Sequence, residues 1–137
     1  MYVIKTEITD LDAKSWTFYR QKTMYGGKQI AEGDQIYIFA SETEGGPGLI
    51  ASGVVTSAAA TPRRIGVERQ TPRVSITVER TGTTKGRLGR SELRAFREWN
   101  DGRPETELNF KFYRQATHKI GGISARAAAF LQGFMQQ

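Results

Sequence analysis

Several stretches of the chain alternate between apolar and polar residues with the period of two that places successive side chains on opposite faces of a strand. Residues 2–8 and 73–81 show this alternation, residues 35–41 show it after a Gly33-Asp34 turn, and residues 108–115 show it with aromatic residues. The β-branched run 49–58 contains Gly53, which indicates a bulge or a tight bend within a strand. These patterns predict five strands.

Two segments have the spacing of short amphipathic helices. In residues 89–99, Ser91 is a candidate N-cap, and three large apolar residues share one face: Leu93, Phe96 and Trp99. Near the end of the chain Ser124 is a candidate N-cap before a stripe at i, i+3, i+4 and i+7, formed by Ala127, Phe130, Leu131 and Phe134. We expect this last helix to cover the sheet.

Five to six short strands with short helices and a covering C-terminal helix predict an α+β fold built on a small mixed or antiparallel β-barrel. The chain has 137 residues, which suits one core and leaves little room for a second. No internal repeat or linker interrupts it. We therefore expect a single domain over residues 1–137.

The composition excludes several kinds of catalytic and metal-binding site. The chain has no cysteine, so thiol nucleophiles, disulfides and thiolate metal sites are excluded, and a single histidine, His118, excludes a pair of histidine ligands. We predict no metal, no cofactor and no catalytic residue. No apolar run approaches the roughly 20 residues of a membrane span, so we expect no membrane partner and a cytoplasmic location.

Positive charge is concentrated in the middle of the chain. The net charge is +6, and residues 63–98 hold ten Lys and Arg against four Glu. Such a surface attracts polyanions and favours contacts to phosphates, although a merely solubilising basic surface has the same composition. The candidate phosphate contacts are Arg63, Arg64, Arg73, Arg87 and Arg90.

Aromatic residues are concentrated elsewhere, between residues 16 and 39, and basic side chains such as Arg20 lie among them. An unpaired base is held by stacking on aromatic rings, together with polar groups that contact its edge. Trp16 precedes the alternating strand at 35–41, so its ring is a candidate wall of such a pocket. Ordinary packing of Trp16 in the core is the alternative.

The order of these features resembles the EVE family of the PUA-like superfamily, which also holds the YTH, ASCH and SRA-type domains. The matching positions are Trp16, Arg20, Gln21, Gly33, Asp34, Phe39, Ser41 and Gly53. The chain departs from the EVE pattern where Phe18-Tyr19 replaces Gly-Val, Gln21 replaces Asn, and Ala40 replaces His.

The resemblance implies a partly open PUA-like barrel with a pocket for a flipped or unpaired modified base of DNA or RNA. Stacking would come from Trp16, Tyr19, Phe39 and Trp99, and contacts to the base edge from Ser41 or Gln21. Arg20 and the central arginines would contact phosphates, positioning the strand without reading its sequence.

Two other functions stay open at this point. An ASCH-like amidohydrolase acting on a small modified nucleoside would use Lys22 or Lys28 with Glu32, so the question of an enzyme is not decided, although a non-enzymatic reader is favoured. A basic surface that binds an acidic protein is the third possibility. The sequence does not determine the modified base, the choice of DNA or RNA, or the oligomeric state.

Overall fold

Six β-strands close into a mixed barrel, and a seventh short strand pairs with the end of the fifth. The computed structural model describes residues 1–67, 69–115 and 117–136. The strands are β1 (Tyr2–Thr6), β2 (Ser15–Met24), β3 (Gln35–Ala40), β4 (Gly48–Ala60), β5 (Arg73–Thr84), β6 (Lys119–Gly122) and β7 (Met135–Gln136). The helices are α1 (Arg90–Leu93), α2 (Pro104–Leu108) and α3 (Ala125–Gln132). Short 3₁₀ turns cover Gly27–Gln29 and Glu42–Glu44, and a π-helical turn, Asn109–Tyr113, continues α2.

The barrel order is β2-β6-β1-β3-β4-β5, and the pairing of β2 with β5 closes it. β1 is parallel to β3 and β2 is parallel to β6, while the other pairs are antiparallel. A register shift between Ser52 and Gly53 confirms the predicted bulge. Glycine is required at this position, because a Cβ there would lie 2.4 Å from Val78 Cγ1. The predicted small mixed barrel with short helices and a covering C-terminal helix is therefore the observed architecture.

The alternation along the strands builds two cores on opposite faces of the barrel wall. On β3, Ile36 and Ile38 pack inside the barrel, whereas Tyr37 and Phe39 pack on the outer face. The short helices cover this outer face. In α3 the side chain of Ser124 accepts a hydrogen bond from the Ala127 amide, which confirms the predicted N-cap.

Trp16 lies in β2 and packs inside the barrel with only 8% of its surface exposed. Its indole Nε1 donates a hydrogen bond to the Asp10 carbonyl at 2.9 Å, and its ring stacks on Phe18. The Arg80 guanidinium lies 4.7 Å from the ring centre. The prediction that Trp16 precedes an alternating strand and does not belong to one was wrong, since Trp16 lies in β2, which carries it into the barrel core.

Two other elements differ from their predicted form. Residues 108–115 do not form a strand, because Pro104 begins a helix in which Leu108 and Phe112, four residues apart, are buried together. The helix predicted in residues 89–99 is shorter and begins after Gly89, so Ser91 is not its N-cap. It ends at Leu93, which leaves Trp99 exposed.

Two lysines are buried side by side where β1 pairs with β6. Lys5 and Lys119 are cross-strand partners and are 1% and 0% exposed. Lys5 Nζ lies 4.8 Å from the centre of the Tyr113 ring, whereas Lys119 Nζ has no hydrogen-bond partner among the described residues. Burial lowers the pKa of Lys119, and the neighbouring Lys5 ammonium lowers it further.

We expect Lys119→Met to stabilise the protein at neutral pH. A lysine in the unfolded chain is protonated below about pH 10.4, whereas native Lys119 has a lower pKa. The unfolded chain therefore binds more protons as the pH falls below about 10.4, and the free energy of unfolding falls with it. Methionine removes this loss, and the gain at pH 7 should be about 1–4 kcal/mol.

Urea unfolding of both proteins between pH 6 and 10.5 measures this effect. The difference in free energy should shrink as the pH rises, and exposed Lys14→Met should show no such trend. A Lys119→Met protein that is less stable than the parent at neutral pH would show that the ammonium is stabilised in the fold.

The two tryptophans should respond differently to replacement by phenylalanine. Trp16→Phe removes a buried hydrogen bond to the Asp10 carbonyl and part of a packed ring, and should lower the free energy of unfolding by about 1–3 kcal/mol. Trp99→Phe alters a side chain that is 77% exposed and should change it by less than about 0.5 kcal/mol. Chemical denaturation of both variants tests this contrast, and equal stabilities would contradict the burial of Trp16.

Candidate nucleic-acid interface

A bulge in β2 shapes one rim of the barrel. Phe18 pairs with Ile76 and Gln21 with Val74, so Tyr19 and Arg20 together lie opposite the single residue Ser75. Arg20 has a φ of 51°, which is uncommon for a residue with a side chain. Ser75 Oγ accepts a hydrogen bond from the Arg20 amide at 3.0 Å, and Arg73 Nη1 donates to the Arg20 carbonyl at 2.8 Å. These two bonds stabilise the bulge, which presents Tyr19 and Arg20 at the surface.

Beside the bulge lies a cavity of about 570 Å³, here called the rim pocket. Its walls come from the end of β1, the bulge of β2, the turn after β3, the start of β5 and the segment before β6. The lining residues are Thr6, Tyr19, Arg20, Gln21, Lys22, Thr43, Glu44, Arg73, Thr117 and His118. This volume lies within the range of roughly 300–1,000 Å³ that is usual for sites of small organic ligands.

The rim pocket combines one exposed ring with several polar groups. Tyr19 is 72% exposed, and its carbonyl accepts a hydrogen bond from the Gln21 amide group at 3.0 Å. His118 Nε2 and Glu44 Oε1 lie 2.8 Å apart at the pocket. The pocket therefore offers a face for stacking, together with hydrogen-bond donors and acceptors from amide, hydroxyl and carboxylate groups.

The turn that carries Thr43 and Glu44 is tied to the helices by its first residue. Glu42 accepts hydrogen bonds from the Tyr113 hydroxyl at 3.0 Å and from the Arg90 amide at 2.6 Å. Burial raises the pKa of Tyr113, and the Glu42 carboxylate raises it further, so the phenol remains a hydrogen-bond donor at neutral pH. This contact fixes the 3₁₀ turn and hence the wall of the rim pocket.

A larger cavity of about 1180 Å³, here called the basic groove, runs from the bulge along the connection between β4 and β5. Seven of its lining residues are cationic: Arg20, Lys22, Lys28, Arg63, Arg64, Arg69 and Arg73. Among the described residues that line it, none is acidic. Arg20, Lys22 and Arg73 line both cavities, so the basic groove and the rim pocket adjoin at these three side chains.

The structure brings together part of the predicted base-binding set. Tyr19, Arg20 and Gln21 line the rim pocket. Trp16 and Phe39 lie on opposite faces of the barrel wall, with Phe39 only 1% exposed against Tyr113, so these two rings do not form one pocket.

The remaining predicted residues lie in three different settings. Ser41 is buried, and its hydroxyl is 2.8 Å from that of Thr43, which lines the rim pocket. Arg63, Arg64 and Arg73 line the basic groove. Three exposed residues line neither cavity: Arg87, Arg90 and Trp99.

The sequence interpretation missed Thr6, Thr43 and Glu44, and it assigned His118 no role in a base pocket. These residues are distant in the chain, and only the pairing of β1 with β3 and β6 brings their segments to one rim. The alternation of Trp16 and Phe18 with polar residues was the available signal for β2, but the bulge interrupts it after Phe18. The residues proposed for a hydrolase are separated, because Lys22 and Lys28 line the basic groove and exposed Glu32 lines neither cavity.

Neither the protein-family models nor the curated proteins match this sequence. Solved structures match the fold over almost the whole chain. The DUF55 domain of human thymocyte nuclear protein 1 aligns with a TM-score of 0.65 and 13% identity, covering 96% of each chain. A protein from Leishmania major aligns with a TM-score of 0.58 and 16% identity, covering 96% of this chain and 92% of that one.

A second human structure, of THYN1 protein in complex with DNA that contains 5-methylcytosine, has a TM-score of 0.66 and 12% identity. The alignment covers 99% of this chain and 98% of that one. In the described part of this chain, no helix is both long and apolar enough to span a membrane. The agreement with these structures shows that the chain has the PUA-like fold of the EVE domains, which its sequence resembles.

Proposed function

We propose that this protein binds a nucleic acid, holding its phosphates in the basic groove and an unpaired or flipped base in the rim pocket. The observation that carries the proposal is that the two cavities adjoin and share Arg20, Lys22 and Arg73 as lining residues. A groove for a polyanion alone would need only charge. A basic groove beside a pocket with an exposed ring suits a nucleic acid, in which each unit of the sugar-phosphate backbone carries a planar base.

The charge of the groove supports the first half of the proposal. Seven cations line one cavity, and no acidic residue stands among its described lining residues. Neutralising phosphates releases counterions from the nucleic acid, which makes such binding favourable and strongly dependent on salt. These contacts position the strand, and they do not distinguish one base from another.

The rim pocket supports the second half. Extruding a base from a duplex costs a few kcal/mol, which stacking and hydrogen bonds to the base must offset. The Tyr19 ring is available for stacking, and Gln21, Thr43 and Glu44 are available for contacts to the base edge. Because Ala40 is buried inside the barrel, the position where EVE domains carry histidine provides no polar group to the rim pocket.

The human THYN1 structure contains DNA with 5-methylcytosine and shares this fold. That complex supports a modified base as the ligand of the rim pocket, and 5-methylcytosine in DNA is the first ligand to test. We therefore propose a reader of a modified base that acts without catalysing a reaction.

Binding to a labelled duplex that contains one 5-methylcytosine should weaken steeply as the salt concentration rises. Arg64→Ala and Arg69→Ala should each weaken binding and lower the slope of log K against log salt by about 1, because each removes one phosphate contact. Fluorescence anisotropy at salt concentrations between roughly 50 and 200 mM measures both the affinity and the salt slope. Exposed Arg94→Ala, outside the groove, is the matched control and should leave the slope unchanged.

Tyr19→Ala should remove the preference for an accessible base and spare the contacts to phosphate. Stacking of a base on an aromatic ring contributes about 1–3 kcal/mol, so binding to an oligonucleotide with an unpaired 5-methylcytosine should weaken by that amount. The salt slope should not change. Tyr25→Ala replaces another exposed tyrosine outside the rim pocket and should bind like the parent; equal losses in the two variants would argue against the pocket.

A further inference from the structure

The connection between β4 and β5 presents an apolar side chain at its tip. The last pair of the hairpin joins Ala60 to Val74, and beyond it the Thr61 amide donates to the Arg73 carbonyl at 2.8 Å. In the turn that follows, Ile65 is fully exposed and Val67 is 45% exposed. A β-branched aliphatic residue without any cover on a strongly basic loop is unusual, since such residues are usually buried.

The turn that presents Ile65 is held by the side chain of Gln70. Its Oε1 accepts a hydrogen bond from the Arg64 amide at 2.9 Å, and its Nε2 donates to the carbonyls of Arg64 at 2.8 Å and Val67 at 2.9 Å. Gly66, with a φ of 84°, allows the chain to reverse. Ile65 is therefore displayed by a hydrogen-bonded turn.

The surroundings of Ile65 indicate the kind of partner it meets. Arg64 and Arg69, on either side of it in sequence, line the basic groove together with Val67, so the same loop forms one wall of the groove and carries the exposed tip. A partner that lies in the groove must be polyanionic, yet the tip offers it an aliphatic group. Stacked bases behind a phosphate backbone satisfy both requirements, because aliphatic side chains can enter between base pairs and unstack them.

We infer that Ile65 is a wedge that enters the base stack of the nucleic acid bound in the basic groove and helps to free the base that the rim pocket receives. This inference rests on the proposed function and adds a residue to it. Insertion at the tip and capture at the rim pocket would then be joined by the cationic groove between them, with Arg20 and Arg73 at the rim end.

The test uses a duplex that carries 2-aminopurine beside a single 5-methylcytosine, since the fluorescence of 2-aminopurine rises when the base is unstacked. Binding is followed separately through the anisotropy of an end label. The parent protein should raise the 2-aminopurine signal on saturation. Ile65→Ser should abolish most of that rise and weaken binding by roughly tenfold, while the salt slope stays that of the parent.

Two variants sharpen the comparison. Ile65→Leu keeps an aliphatic group and should retain the rise, whereas Leu11→Ser changes another exposed aliphatic residue, outside the groove, and should behave like the parent. A salt-dependent complex in which parent and Ile65→Ser give the same 2-aminopurine signal would overturn the wedge and leave the proposed function standing. A parent protein that binds no oligonucleotide would overturn both.

Discussion

The pairing of β2 with β5, interrupted by one bulge, is the constraint on which the rest of the structure depends. This pairing closes the barrel, and it carries Trp16 and Phe18 into the barrel interior. At the bulge the register shifts, and the uncommon backbone conformation of Arg20 is stabilised by Ser75 and by the Arg73 guanidinium. A regular strand would continue the alternation inward and outward, whereas the bulge leaves two consecutive residues at the rim. The candidate site therefore forms where the bulge interrupts the otherwise regular pairing of β2 with β5.

The two faces of the barrel wall have different tasks. The side chains on the inner face are apolar and pack against one another. The outer face is covered by short helices and accommodates polar groups that hold the rim, among them Glu42 with its hydrogen bonds from Tyr113 and from the Arg90 amide. Lys5 and Lys119 lie on the same side of the β1–β6 pair, where burial disfavours two adjacent charges. The unfavourable interaction between these two buried lysines therefore lies next to the segment that carries His118 to the rim pocket.

Charge and aromatic surface are separated in the chain and joined in the fold. The cations of residues 63–73 come to the bulge of β2 because β5 pairs with β2 there, so Arg73 lies against Arg20. Under the proposed function, the groove would supply long-range attraction to phosphates and the rim pocket would select the base, which are separate energetic contributions to recognition of a nucleic acid. The shared fold of the human DUF55 domain shows that this barrel tolerates sequence divergence to 13% identity. Its inner core needs only apolar residues of suitable size at alternating positions.

By itself the sequence determined the features that depend on local pattern. The alternation at β1, β3, β4 and β5, the glycine bulge at Gly53 and the Ser124 cap of α3 all follow from neighbouring residues, and the order of motifs indicated the PUA-like barrel. Only the tertiary structure decided that residues 108–113 are helical, because Leu108 and Phe112 fit both a period of two and a spacing of four. It also decided that Trp16 faces inward and that Tyr19, Arg20 and Gln21 meet Glu44 and His118 at one rim. The physical reason is that a side chain's direction in β2 depends on pairing with residues about sixty positions away, and no local period encodes that register.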